Sequence, residues 1–134
     1  MKSVRRLAAN REGMAAVEFA VAFPVLIMMI WGIFQVALLY RANAGMQHAL
    51  GEGARMATIW PTPSTSAIQS KITAHKFGLN GSTHGGTWGT PSITTNTTDN
   101  TMLITVTYNQ PTDFLFFSGP TVSLSRSKLV HLAD

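Results

Sequence analysis

The stretch that decides the fold is FAVAFPVLIMMIWGIFQVALLY, which runs from Phe19 to Tyr40. It contains no Lys, Arg, Asp or Glu, and Gln35 is its only strongly polar member. At about 1.5 Å per residue, a helix of this length spans about 33 Å, enough to cross a hydrocarbon core about 30 Å thick. A chain of 134 residues has little with which to surround such a helix. The sequence therefore predicts a transmembrane segment over residues 19–40, with a bend at Pro24, which removes a backbone donor.

Basic residues are concentrated before this segment. Of the formal net charge of +4, three units belong to residues 1–13, whose basic members are Lys2, Arg5, Arg6 and Arg11. Because basic flanks stay on the cytoplasmic side, we expect the N-terminus in the cytoplasm and the chain beyond about residue 41 outside it. The nearly neutral remainder argues against a nucleic-acid partner. The absence of cysteine excludes disulfides, thiolate metal sites and cysteine nucleophiles.

Two alternatives to a membrane anchor that loses residues 1–13 by cleavage remain open. In one, Ala42-Asn43-Ala44 before Gly45 is a signal-peptidase site, and cleavage after Ala44 releases a soluble periplasmic binding module. Against it, the apolar segment is longer than the roughly 7–15 residues of a secretory h-region, and it begins beside Glu18. In the other alternative, the chain is a permanently anchored single-pass scaffold of a secretion apparatus and keeps its leader.

Glu18 is the most informative single residue of the sequence. A carboxylate in the bilayer core costs about 2.5 kcal/mol or more on insertion scales, so such a residue marks a candidate functional site. One interpretation places Glu18 at the level of the lipid headgroups, one or two turns from Arg11. In the other, a cut after Gly13 frees an α-amino group on Met14. That amine would pair with Glu18 inside an apolar helical assembly, where an unpaired charge is costly.

The order of these features carries a family resemblance. A basic leader and Gly13 precede Met14-Ala15-Ala16-Val17-Glu18-Phe19, and a proline, a long apolar run and the small-residue stretch 52–57 follow. Over residues 5–58 this arrangement resembles TadE-like proteins, the minor pseudopilins of the tight-adherence (Tad/Flp) type IV pilus system. The resemblance implies that a prepilin peptidase cleaves between Gly13 and Met14 and that Glu18 and Phe19 serve subunit assembly. Methionine after the cut, where the main type IV pilins have phenylalanine, favours the Tad branch.

The resemblance also implies a function, partners and a location. The protein would be a minor pseudopilin that takes part in pilus assembly or initiation and in surface adhesion. Its partners would be prepilin peptidase, other pilin or pseudopilin subunits, the inner-membrane Tad assembly platform and the lipid bilayer. It would lie in the bacterial inner membrane, with a cytoplasmic N-terminus and a periplasmic C-terminus, and would enter the pilus after processing. It would be the substrate of an enzyme and not an enzyme; we expect no cofactor, and the scattered histidines predict no metal site.

The predicted fold class is α+β. A cytoplasmic leader (1–13) precedes one long pilin-like helix over 14–58, transmembrane over 19–40 and amphipathic and periplasmic over 41–58. A small helix-plus-antiparallel-sheet headgroup (residues 59–134, called the head domain below) follows. Within it, the pattern predicts the following elements: a helix over 66–77 stopped by Gly78, an irregular loop over 80–89, and strands over 87–95, over 102–108 ended by Pro111, and from Val122 to about Leu132.

Several packing expectations follow from the same patterns. One face of segment 41–58 carries Met46, Ala49, Leu50, Gly53 and Ala57, which pack either on the head domain or on neighbouring subunits. The aromatic residues of the head domain are expected to supply most of its small core, with partner binding as the alternative: Trp60, Trp88 and the cluster Phe114–Phe117. Two aspartates are expected to accept hydrogen bonds from local backbone donors in turns: Asp99 and Asp113.

Overall fold

The computed structural model describes residues 11–77 and 85–132, and of residues 11 and 12 only the backbone. Within these ranges the elements are α1 (Arg11–Ala57), α2 (Thr65–Ala74), β1 (Thr87–Trp88), β2 (Ser92–Asn96), β3 (Thr101–Asp113) and β4 (Ser118–His131). The strands form one antiparallel sheet. The predicted α+β class, with a long N-terminal helix followed by a short helix and a sheet, is confirmed.

Helix α1 is continuous over 47 residues, which corresponds to about 70 Å at about 1.5 Å per residue. It passes through Pro24 without a break in its assigned span. It ends next to Thr58, whose Oγ1 donates a hydrogen bond to the carbonyl oxygen of Arg55 at 2.9 Å. Pro61 and Pro63 lie within the next five residues and disfavour a continued helix. The prediction of one long helix is confirmed.

Strand β3 is the centre of the sheet. Strand β4 pairs along it from Thr101↔His131 to Asp113↔Ser118, while β2 and then β1 pair with its other side. The pairing with β1 reaches only as far as Asn109. Among the described strands, β3 and β4 therefore continue beyond Asn109 as a two-stranded ribbon.

Two strand predictions were wrong. The strand expected over 87–95 is two short strands, β1 and β2, because the chain between them, which includes Pro91, leaves the regular ladder. Pro111 does not end β3, which continues to Asp113 with an irregular register after the proline. Beyond Asn109 only β4 flanks β3 in the described structure, and proline is tolerated at such an edge because one side of the strand needs no donor.

The core lies between the C-terminal half of α1, helix α2 and the inner face of β3. The predicted face of segment 41–58 is buried against the head domain of its own chain. Helix α2 adds Ile68 and Ile72, both fully buried, and Ser64 caps it by accepting a hydrogen bond from the backbone nitrogen of Ala67 at 3.3 Å. Helix α2 ends at Ala74, before the predicted 77. Gly78 and residues 80–84 of the predicted loop lie outside the described residues.

The two helices approach most closely at Gly53. A Cβ atom added there would overlap the Cγ1 and Cδ1 atoms of Ile72. This close approach explains why a glycine, which costs roughly 1 kcal/mol relative to alanine in a helix, stands within the C-terminal part of α1. The same test finds open space at Gly51.

Candidate membrane and assembly surface

The N-terminal part of α1 carries apolar side chains that no described part of the chain covers. Every residue from Met14 to Leu26 is exposed, and partial burial begins only at Ile27 and Met28. Phe19, for example, is 66% exposed. Among the described residues, α1 is the helix that is long and apolar enough to cross a membrane. It fits a single-pass anchor, because an apolar surface of this extent needs lipid or other apolar helices to cover it.

Glu18 is the one carboxylate within the exposed stretch 14–26. Among the side chains that the structure describes, it has no hydrogen-bond or ion-pair partner. Met14 lies four residues earlier, and both side chains border a shallow apolar groove that continues along Val21 and Val25. Gly13 is exposed, and its Cα faces open space. The residues of the predicted cleavage and assembly site therefore lie together on an accessible end of α1.

The leader falls mostly beyond what the structure describes. Lys2, Arg5 and Arg6 lie outside the described residues, and Arg11 is the first residue of α1, described by its backbone alone. Their role in membrane orientation stays a prediction.

The end of β3 contacts α1 within the predicted transmembrane segment. The indole nitrogen of Trp31 donates to the Oδ1 atom of Asp113 at 2.8 Å and to its carbonyl oxygen at 2.9 Å. The Nε2 atom of Gln35, one turn later on the same face, donates to the same Oδ1 at 3.3 Å. Gln35 is only 4% exposed. Asp113 therefore accepts hydrogen bonds from α1, a role that the expectation of local backbone donors did not include.

The interface between α1 and β3 changes from apolar to polar along the strand. The inward positions of β3 are, in order, Met102, Ile104, Val106, Tyr108, Gln110 and Thr112, all buried. On the neighbouring strand β4, the Nε atom of Arg126 donates to the Oδ1 atom of Asn43 on α1 at 2.7 Å. Strands β3 and β4 therefore lie along α1, and the polar end of β3 reaches Gln35 and Trp31.

Tyr108 joins the apolar and polar parts of this interface. Its hydroxyl accepts a hydrogen bond from the backbone nitrogen of Gly86 at 2.6 Å and donates one to the Oε1 atom of Gln110 at 2.8 Å. Burial raises the pKa of Tyr108, and the Gly86 hydrogen bond and the charge of Arg41 oppose this rise only in part. The phenol is therefore a neutral structural group at physiological pH.

In the turn after β3, residues Phe114–Phe117, Phe114 is half-buried and the other three side chains are exposed. The backbone nitrogen of Phe114 donates to the carbonyl oxygen of Phe117 at 2.9 Å, and the two rings stack at 5.2 Å. Leu115, Phe116 and Phe117 are 52%, 70% and 59% exposed. The expectation that this cluster and Trp60 fill the core was wrong, because the ribbon carries the turn past the core, and Trp60 is 68% exposed. Trp88 is partly buried and packs on the core, with its ring 5.9 Å from that of Tyr108.

The described ranges contain no group of three or more His, Asp or Glu side chains that could hold a metal ion. His48 and His75, far apart in sequence, lie with ring centroids 6.2 Å apart. The Ala44–Gly45 bond of the alternative signal-peptidase site lies inside α1, between the fully buried Ala42 and Met46.

Residues 13–55 match the family model of TadE-like proteins. The chain carries a TadE-like segment. It begins at Gly13, contains Met14 and Glu18, and ends two residues before α1 does. No curated protein and no solved structure matches the chain. The match covers most of α1, and the head domain lies outside it.

Proposed function

We propose that this protein is a minor pseudopilin of a Tad/Flp-type pilus. The precursor spans the inner membrane with residues 1–13 in the cytoplasm and the head domain in the periplasm. A prepilin peptidase cleaves it between Gly13 and Met14, and the mature subunit joins other pilin or pseudopilin subunits in pilus assembly or initiation. The protein is the substrate of an enzyme and not itself one. The observation that carries the proposal is Glu18, exposed and without a partner among the described side chains, on an uncovered apolar helix that follows Gly13.

The apolar stretch 14–26 is suited to two successive environments, the lipid bilayer and a packed helical assembly. In the precursor, lipid covers it. After processing, the corresponding helices of neighbouring subunits cover it, and lipid and a packed helical assembly both satisfy an apolar face. The buried face of segment 41–58 is already occupied by the head domain of its own chain. Subunit contacts are therefore assigned to the N-terminal half of α1.

Glu18 has a specific role in the assembled state. After cleavage, the helix begins with a cationic α-amino group on Met14, about 6 Å along the axis from Glu18, at about 1.5 Å per residue. A positive charge at a helix N-terminus opposes the helix dipole, and a carboxylate in the following turn compensates it. Removing one partner of a buried ion pair costs about 3–5 kcal/mol, because the other charge stays buried alone. Glu18 neutralises the Met14 amine of its own chain or of a neighbour.

Release of a soluble module after Ala44 is less well supported. Such a cut would detach Ala42, which is fully buried in the core. It would also remove Trp31 and Gln35, both of which donate to Asp113. A permanently anchored scaffold would keep the same contacts and differ only in retaining residues 1–13, so the N-terminus of the membrane-bound protein separates it from a pseudopilin.

The assembly role is tested with Glu18→Ala and a matched control, Glu52→Ala, in cells that carry the pilus system. Glu52 lies outside the apolar stretch, 4.0 Å from Lys71 in a partly exposed pair worth little to stability. We expect both variants to be cleaved after Gly13. The Glu52 variant should appear in sheared pili or in cross-links to other subunits, and the Glu18 variant should not. Normal incorporation of the Glu18 variant would contradict the proposed role.

A further inference from the structure

The exposed turn Phe114–Phe117 lies at a defined level along α1. Its side chains Leu115, Phe116 and Phe117 border one surface groove together with Trp31 and Asp113. The two hydrogen bonds from the Trp31 indole to Asp113 fix this position. The turn is therefore beside the part of α1 that the sequence assigns to the membrane, and not at the far end of the head domain.

This level constrains where the membrane lies. If residues 19–40 filled the hydrocarbon, Trp31 would lie about 14 Å below its outer boundary, at about 1.5 Å per residue. The Asp113 carboxylate bonded to it would then be near the bilayer centre, a costly position. From Arg11 to Trp31, however, α1 rises about 30 Å, the thickness of the hydrocarbon core. A membrane placed between these two residues leaves Asp113 and Gln35 at the polar interface, and it places the Trp31 indole where tryptophan is enriched. It sets Glu18 about 10 Å inside the inner boundary. One carboxylate is therefore embedded in either placement, and the second placement keeps the polar end of β3 out of the hydrocarbon.

The composition of the turn fits the same boundary. Its three most exposed side chains are apolar, and the adjacent carboxylate of Asp113 is engaged by Trp31 and Gln35. Leu115 adopts φ = 59°, in the left-handed region where glycine or asparagine is favoured and a branched apolar residue is strained. The turn thus presents large apolar side chains where turn chemistry alone would select a small or polar residue.

We propose that the turn Phe114–Phe117 inserts into the periplasm-facing leaflet beside Trp31, so that the protein holds the membrane at two points. The partner of this surface is the lipid bilayer, and the hydrocarbon-spanning part of α1 is about residues 11–31. The inference rests on the anchored topology of the proposed function, but it does not depend on cleavage after Gly13 or on pilus assembly. A second copy of the chain is the other occupant that an apolar turn could have.

The absence of cysteine allows a direct test with single-cysteine variants of the full chain. Phe116→Cys reports on the turn, and Leu129→Cys, 58% exposed near the other end of β4, is the matched control. Each variant is labelled with an environment-sensitive fluorophore and reconstituted into vesicles of phosphatidylethanolamine and phosphatidylglycerol. Lipids that carry a nitroxide near the headgroup quench a label in the membrane, and iodide quenches a label in water. Met29→Cys and Tyr40→Cys locate the boundary along α1.

We expect the label at Phe116 to be quenched several-fold more by nitroxide lipid, and several-fold less by iodide, than the label at Leu129. The label at Met29 should behave as embedded and that at Tyr40 as aqueous. Equal iodide quenching at Phe116 and Leu129, or lipid quenching at Tyr40 equal to that at Met29, would overturn the proposal. A third result would also overturn it: a label at Phe116 that is protected from iodide, is not quenched by nitroxide lipid, and loses its protection when the protein is diluted in lipid. A second copy of the chain would then cover the turn. The label at Phe116 should be quenched to the same extent in chains with and without residues 1–13. A result that overturns the insertion of the turn is therefore distinct from a failure of cleavage after Gly13.

Discussion

Substitution of Gly53 by alanine tests how tightly α1 and α2 pack. Alanine gains about 0.8–1.0 kcal/mol over glycine in a helix interior. At Gly53 its Cβ atom would overlap the Cγ1 and Cδ1 atoms of Ile72, which is fully buried and β-branched and therefore has little freedom to move. Overpacking of this kind costs typically about 1–3 kcal/mol. Gly53→Ala should thus range from neutral to about 2 kcal/mol less stable.

Gly51→Ala is the matched control, because it makes the same change two residues away, where a Cβ meets open space. It should stabilise the protein by about 0.8–1.0 kcal/mol. The difference between the two variants, about 1–3 kcal/mol, isolates the overlap with Ile72 from helix propensity. The assay is chemical unfolding of the full chain in detergent, followed by near-UV circular dichroism, which reports the packed aromatic residues of the head domain.

A double-mutant cycle identifies the partner atoms. Ile72→Ala alone should cost about 2–5 kcal/mol, because it opens a cavity in the core. In that background Gly53→Ala should stabilise, because it no longer meets the Cγ1 and Cδ1 atoms and fills part of the cavity. Equal effects of Gly51→Ala and Gly53→Ala in the native background, or no coupling with Ile72, would refute the packing of α2 on α1 described above.

Four further predictions concern the head domain, and each is measured by the same unfolding assay. Leu115→Asn should leave stability unchanged or raise it by up to about 1 kcal/mol, because asparagine tolerates the left-handed conformation; a clear loss would contradict the strain. Asp113→Ala should cost about 1–3 kcal/mol, because it leaves a buried amide donor of Gln35 without its acceptor; a neutral result would contradict the contact. Burial raises the pKa of Tyr108 in the folded protein, so its neutral hydroxyl contributes to the free energy of unfolding fully below the ordinary tyrosine pKa of about 10, and this contribution is lost as the pH rises through the folded value. Tyr108→Phe should therefore reduce the loss of stability at alkaline pH, and an unchanged dependence of stability on pH would contradict this assignment. Ser64→Ala should cost about 1 kcal/mol through the lost cap of α2, and no change would contradict the cap.

The two helices of this fold could be predicted because the sequence signals that determine them lie within a few residues of one another. The uncharged run that ends at Tyr40 and the small-residue spacing of segment 41–58 predicted α1 and the face that is buried. The helical pattern over residues 66–77 likewise predicted α2. Each of these signals depends on chain periodicity or on backbone restriction within a few residues.

The position of the ribbon could not be read in the same way. The contact of Asp113 with Trp31 joins residues 82 positions apart, and it depends on β3 being long enough to extend along α1. Pro111 argued for a shorter strand, and only the absence of a described neighbour beyond Asn109 makes it tolerable. The sequence favours a core position for Phe114–Phe117, because a small domain has few large apolar residues, whereas the ribbon places this turn at the surface. The one available signal was Gln35, the single polar side chain in the apolar run, one turn after Trp31.

The central claim, that the chain is a processed pseudopilin anchored by α1, is tested most directly by the N-terminus of the membrane-bound protein. Intact mass measurement and N-terminal sequencing are made on protein from cells with a functional prepilin peptidase and from cells without one. The account predicts a chain that begins at Met14 in the first and retains residues 1–13 in the second. A chain that begins at Gly45, or an intact leader in cells that contain the peptidase, would contradict it.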